Sequence, residues 1–208
     1  MGLPVEVGRW RARKGKAVFL DRDGVLVEDV GLLARPEDIR VLAGAAEALA
    51  KLRQAGYLLV VISNQASVAR GILSEAAACE LHEHVQWELR ACGAPHLDGF
   101  YFCPHHPHAN LPEYRRACDC RKPRPGLILR ASTERDVDPS TSFMVGDRLT
   151  DVWAGARAGC RTVLVETGKH AEPLIVTSDP PDEAVAPQRT CRDLGEAARW
   201  ILEQGASP

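Results

Sequence analysis

The chain has 208 residues, 45% hydrophobic and 26% charged, with a formal net charge of -2. That length suits one well-buried domain, and the near-neutral balance supplies no field to gather nucleic acid or an anionic membrane surface. No apolar run approaches the roughly 20 residues of a membrane span, and the N-terminus lacks the apolar stretch of a secretory signal, so a soluble cytoplasmic protein is expected. The basic run Arg9, Arg11, Arg13, Lys14 and Lys16 reads as a solvated arm rather than a nucleic-acid patch. Seven cysteines, an odd number without a signal, argue against a disulfide framework.

Taken in order, apolar runs alternate with helical patterns, the signature of a parallel sheet built from βαβ units. Residues 17–20 form the first strand and end at Asp21 and Asp23, one residue apart. A helix is expected over 44–55, with Ala45, Ala48, Leu49 and Leu52 on one face and Gly56 closing it. The run 58–62 reads as a fully buried strand that leads into Ser63-Asn64-Gln65. Ser74 caps a long helix ending at Gly93, with Leu81, Val85 and Leu89 as its stripe. A short strand covers 100–102, and 103–124 reads as irregular. A helix over 126–135 follows, then a strand over 142–145 ending at Gly146-Asp147. Asp151 starts a short helix to Gly159, and 161–165 is the last strand expected. The proline-bearing stretch 171–190 reads as loop or disorder, and a final helix as 193–203. One domain over 1–208 is expected, its core at about 17–168 and its tail at 169–208.

Three strand ends carry polar chemistry: Asp21 and Asp23, Ser63 and Asn64, and Asp147 with Asp151 close behind. An Asp after a strand is commonly only a turn or cap residue. Here all the acids fall at strand ends that a parallel sheet gathers along one edge, where open α/β sheets bind ligands. Carboxylates with a backbone carbonyl suit a hard cation such as Mg²⁺. A hydroxyl and Lys122, from the loop before the 126–135 helix, suit a phosphate. The set points to phosphoryl transfer.

A second cluster lies in the irregular segment. Cys103-Pro104-His105 and Cys118-Asp119-Cys120 give two close ligand pairs, with His106 and His108 as spare candidates. Four such ligands fit a closed tetrahedral Zn²⁺ site, and a structureless segment of that length needs something to order it. The alternative is a set of free thiols. The metal reading places a structural clamp immediately before Arg121-Lys122.

The run 19–25, then Ser63-Asn64-Gln65, Arg121-Lys122-Pro123 and Gly146-Asp147-Arg148 with Asp151, resembles the four motifs of haloacid-dehalogenase-like phosphatases. The cysteine–histidine insertion is similar to the zinc loop of the heptose bisphosphatase and histidinol-phosphatase family. The resemblance covers about residues 17–168. It implies a Rossmann-like parallel sheet with helices on both faces, no large cap domain and a zinc-binding loop insertion. By the same resemblance Asp21 is the nucleophile and Asp23 the general acid and base. Mg²⁺ is held by Asp21, Asp23 through its carbonyl, and Asp147. Ser63, Asn64 and Lys122 hold the phosphoryl group, and Arg121 and Arg148 help place substrate. The substrate pocket is lined by Asp29, Val30, Gly31 and Leu32, and by Ser63, Asn64, Gln65 and Ala66. Zn²⁺ is bound by Cys103, His105, Cys118 and Cys120. The implied activity is removal of the 7-phosphate from D-glycero-D-manno-heptose 1,7-bisphosphate through an aspartyl-phosphate, during assembly of nucleotide-activated heptose. Apart from the resemblance, a monomer is expected. Leu32 stands where the family often has Tyr, and Ala66-Ser67 replaces the usual Ser-Gly. These departures leave histidinol phosphate or another small phosphorylated sugar as the alternative substrate. A non-catalytic scaffold is the alternative of another class, and a nucleic-acid 3′-phosphatase rests on the basic run alone.

Overall fold

The computed structural model describes residues 14–171 and 185–205. Arg9, Arg11 and Arg13 of the basic run, and Pro173, Pro180 and Pro181, lie outside the described residues. Within them the chain runs β1 (Ala17–Leu20), α1 (Ala45–Gln54), β2 (Leu58–Asn64), α2 (Ala66–Ala69), α3 (Glu75–Ala91), β3 (Gly99–Cys103), α4 (Gly126–Glu134), β4 (Phe143–Gly146), α5 (Leu149–Ala158), β5 (Arg161–Val165), β6 (Arg189–Cys191) and α6 (Leu194–Gly205). The six strands make one sheet in the order β3-β2-β1-β4-β5-β6, with every neighbouring pair parallel.

Strand alternation divides the core in two. Val18 and Leu20 of β1, with Leu59 and Val61 of β2, face one way and pack with Leu49 and Leu52 of α1, Val85 of α3 and Ile201 of α6. Ala17, Phe19, Val60 and Ile62 face the other way, toward Leu127, Ile128 and Ala131 of α4 and Ala154 of α5. The central strands are covered on both faces, which is why β1 and β2 read as unbroken apolar runs. Leu49 and Leu52 are wholly buried, each stabilising the fold by about 1.5–3 kcal/mol.

Several boundaries move. The second strand continues through Ser63 and Asn64, so those polar groups are fixed by the sheet. Cys103 is the last residue of β3 and pairs with Asn64, not part of an irregular segment as the sequence implied. The fifth helix starts at Leu149, with Asp151 at its third position, its carboxylate accepting from the Arg148 N–H at 3.1 Å. The short helix α2 and the strand β6 were not expected. Beginning at the end of the stretch read as loop, β6 pairs with β5 and leads into α6, which packs on α1.

The chain switches direction at β1: β2 and β3 build one side, and β4 to β6 the other. The crevice at the carboxyl ends of β1 and β4 is the topological switch point of such a sheet.

Candidate active site

Asp21 follows β1, and its N–H donates to Val145 O of β4 at 2.9 Å. Its Oδ1 accepts from the Arg22 N–H at 2.7 Å and faces Lys122 Nζ at 2.9 Å. The Lys122 ammonium also reaches Asp151 Oδ1 at 2.6 Å and donates to Ile62 O at 2.8 Å. Three oxygens therefore surround its three hydrogens, which fixes the cation in one place. Burial alone disfavours that ammonium, but the Asp151 and Asp21 carboxylates outweigh it and hold the Lys122 pKa above its ordinary value. Asn64 fixes the Lys122 backbone from both sides: its Oδ1 accepts from Lys122 N, and its Nδ2 donates to Lys122 O, each at 3.1 Å.

Ser63 is buried at the end of β2, and its Oγ accepts from Gln65 Nε2 at 2.7 Å. That donor leaves the Ser63 hydroxyl hydrogen free to point elsewhere. Gln65 thus sits behind Ser63 and outside the cleft lining, and Val30 is half-exposed and also outside it. Asp29, Gly31, Leu32, Asn64, Ala66, Arg121 and Arg148 all line the cleft with Asp21 and Asp23. The cleft measures about 890 Å³, in the range of small-molecule sites.

Asp147 is completely buried. Its Oδ2 accepts from Lys169 N at 2.7 Å, whereas Oδ1 has no hydrogen-bond partner among the described residues. One carboxylate oxygen each from Asp21, Asp147 and Asp151 lie within 4.8 Å of one another. Burial, then repulsion from Asp151 and Asp21, raises the Asp147 pKa, and burial likewise raises that of Asp151 against the pull of Lys122. Three buried carboxylates against one lysine leave an excess of negative charge and an orphaned oxygen. A hard divalent cation with oxygen ligands, such as Mg²⁺, fits that donor set. The backbone is shaped around it. Gly24 has φ +81°, and a Cβ there would come within 2.6 Å of Asp147 Oδ2; only glycine meets both demands.

Little in the sequence marks Arg22, Asp151 as a lysine partner, Thr167 or Lys169 for a role. Arg22 is 1% exposed and forms a two-pronged ion pair with Asp23, at 2.9 and 2.7 Å. Burial raises the Asp23 pKa, and Arg22 opposes it without cancelling it. Thr167 Oγ1 donates to Gly24 O at 2.5 Å. With Lys169 N on Asp147, this makes the segment after β5 a strap over the acidic site. The one available signal was a cation between two acids in Asp21-Arg22-Asp23.

The second predicted cluster also assembles. Cys120 Sγ lies 3.2 Å from Cys103 Sγ and 3.1 Å from Cys118 Sγ, and Cys103 and Cys118 are 3.5 Å apart. His105 Nδ1 is 3.3 Å from Cys120 Sγ and 3.7 Å from Cys103 Sγ. Three sulfurs and one imidazole nitrogen all lie within 4.8 Å of one another, the donor set of a closed tetrahedral Zn²⁺ site. Four such groups converge with no disulfide between them. His106 and His108 stay apart from it, His106 Nδ1 accepting from His108 N at 3.0 Å.

A parallel sheet with an aspartate pair, a serine, a lysine and a third acid at its switch point defines a haloacid-dehalogenase-like phosphatase. The HAD-hydrolase-like family model matches residues 119–197. A D-glycero-beta-D-manno-heptose-1,7-bisphosphate 7-phosphatase from Pasteurella multocida (strain Pm70) is 48% identical over 74% of this chain and 83% of its own length. The protein of that name from Escherichia coli (strain K12) is 42% identical over 78% and 85%. The crystal structure of D,D-heptose 1,7-bisphosphate phosphatase from B. bronchiseptica, complexed with magnesium and phosphate, superposes with a TM-score of 0.75. It is 34% identical, covering 91% of this chain and 99% of that one. The chain belongs to this heptose-bisphosphatase family of phosphoric monoester hydrolases. HAD-like phosphatases use Mg²⁺, and no helix among the described residues is long and apolar enough to cross a membrane.

Proposed function

We propose that this protein hydrolyses the 7-phosphate of D-glycero-D-manno-heptose 1,7-bisphosphate, in the cytoplasmic assembly of nucleotide-activated heptose, and works as a monomer. The observation that carries the chemistry is the Lys122 ammonium held between Asp21 and Asp151 at the base of a cleft. The relatives that share 42–48% identity support the substrate.

In this reading an Asp21 carboxylate oxygen attacks phosphorus as the bond from phosphorus to the sugar O7 breaks. Asp23, partly buried so that desolvation makes it hold its proton more firmly, gives that proton to the departing oxygen. Asp23 then takes a proton from water as the water attacks the aspartyl-phosphate. Inorganic phosphate leaves, and Asp21 and Asp23 return to their starting states. The Ser63 hydroxyl, oriented by Gln65, and Lys122 hold the phosphoryl oxygens; Arg121 and Arg148 hold the sugar side. Mg²⁺ on Asp21, Asp147 and the Asp23 carbonyl would neutralise charge on the phosphoryl group. Zn²⁺ on Cys103, His105, Cys118 and Cys120 would order the loop that carries Arg121 and Lys122.

The test is phosphate release with Mg²⁺ from the α and β anomers of heptose 1,7-bisphosphate beside histidinol phosphate. Fast release from one heptose anomer is expected. Turnover of histidinol phosphate alone would move the protein to the neighbouring activity, and inertness toward every ester would favour the scaffold reading. Light scattering at the 22.7 kDa chain mass is the expected sign of a monomer.

A further inference from the structure

Seven Arg and Lys side chains line the cleft, against four carboxylates. That excess is unevenly committed. On one wall Asp29 faces Arg148 at 3.3 Å and Lys169 at 3.5 Å. On the zinc-loop wall Arg116 donates to His105 Nε2 at 2.7 Å, Arg121 to His105 O at 2.9 Å, and Arg124 to Asp119 at 2.9 Å. Arg70 differs: it is exposed at the end of α2 and lines the cleft. Among the described residues it takes part in no ion pair, and its guanidinium donates no hydrogen bond.

Its backbone, by contrast, is held firmly. Asn110 Nδ2 donates to Arg70 O at 3.3 Å, and the Asn110 and Leu111 N–H groups donate to Ala69 O at 3.0 and 3.2 Å. The zinc loop therefore fixes the base of a guanidinium whose head is uncommitted. No carboxylate of the cleft comes from that wall: the four are Asp21, Asp23, Asp29 and Asp151. A planar cation that lines the cleft, without a counter-ion among the described residues, matches a phosphate geometrically and electrostatically.

We infer that Arg70, outside the four motifs, binds the second and non-reacting phosphate of the substrate, and that the zinc loop holds Arg70 in position for it. This rests on the bisphosphate reading above. Arg70 then sets the preference for sugars with two phosphates over those with one, and acts on substrate binding rather than on the chemical step.

The test compares Arg70→Gln and Arg70→Lys with the wild type, as zinc-loaded full-length chains. For Arg70→Gln, KM for heptose 1,7-bisphosphate should rise about 10-fold or more, as expected for loss of a charged contact, with kcat within about twofold. Inhibition by the product heptose 1-phosphate should weaken in parallel, while inhibition by inorganic phosphate stays unchanged. Arg70→Lys should recover part of the loss. Unchanged KM and unchanged product inhibition in Arg70→Gln would overturn the inference, and so would an equal loss of inorganic phosphate binding, which marks a merely structural role. If the wild type does not turn over the bisphosphate at all, the functional reading fails first and this inference falls with it.

Discussion

The base of the cleft and its zinc-loop wall are built from charged groups held by different means. Asp21, Ser63, Asn64 and Asp147 sit at or just past strand ends, and the sheet beneath them is covered by helices on both faces. Lys122 reaches this base from the loop but is gripped there by three oxygens and by Asn64. The wall at 104–121 has one short 3-10 turn, Pro112–Tyr114, and contributes Ala109 to the buried residues but no apolar layer of its own. It is held instead by the cluster of Cys103, His105, Cys118 and Cys120, whose donor set fits a metal, and by hydrogen bonds to α2. In the proposed reading the fold positions the chemistry and metal ligation positions the recognition, so the two should fail separately.

The largest effect expected from breaking the base is on turnover. Asp21→Asn should lower kcat by about 10⁴-fold or more while the thermal midpoint scarcely moves, since the amide keeps the shape; steady-state kinetics and calorimetry check both. Lys122→Met should abolish activity and also destabilise the protein by about 3–5 kcal/mol, because Asp21 and Asp151 are then buried together without their cation. Urea denaturation measures that cost, and a loss under about 1 kcal/mol would contradict the buried ion cluster. On the wall, Cys118→Ser should remove the bound zinc and speed amide exchange across 103–122 while the sheet stays protected. Exchange mass spectrometry with metal analysis reads both.

A smaller effect belongs to the layer beneath the base. His82 of α3 stacks on Phe100, with ring centroids 3.7 Å apart, and its Nδ1 is buried without a hydrogen-bond partner among the described residues. Burial first, then the nearby Arg22 cation, lowers its pKa to about 3 from an ordinary 6.5. A base whose folded pKa is depressed resists protonation, so the stability it contributes is full above pH 6.5 and is lost as pH falls from 6.5 toward 3. His82→Phe should flatten that part of the pH–stability curve by on the order of 1 kcal/mol, seen as a smaller fall in thermal midpoint between pH 6.5 and 4.5.

The same contrast explains what the sequence disclosed. Buried parallel strands and acids at their ends are local patterns, so β1, β2, β4 and β5 and the positions of Asp21, Asp23 and Asp147 were legible. The clustering of Cys103, His105, Cys118 and Cys120 was legible because soft ligands in close pairs are scarce in ordinary loops. Partners brought together by the fold were not. Asp151 read as the start of a helix, yet it is the other anchor of Lys122, a relation joining α5 to the loop before α4. Lys169 and Thr167 act through a backbone N–H and a hydroxyl that no pattern marks. The strand β6 has three residues, with Arg189 and Thr190 exposed, too short and too polar to show an apolar run. Arg22 was visible only as a cation between two acids, and its burial comes from packing that the local sequence does not encode.

Rapid-quench labelling tests the separation of base and wall most directly. The protein is mixed with heptose 1,7-bisphosphate labelled at the 7-phosphate, quenched in acid, and digested for mass spectrometry. Label is expected on the peptide carrying Asp21, absent in Asp21→Asn and still forming, at higher substrate concentration, in zinc-stripped protein. Label on another residue, or a zinc-stripped protein that folds but cannot be labelled at any substrate concentration, would contradict that expectation.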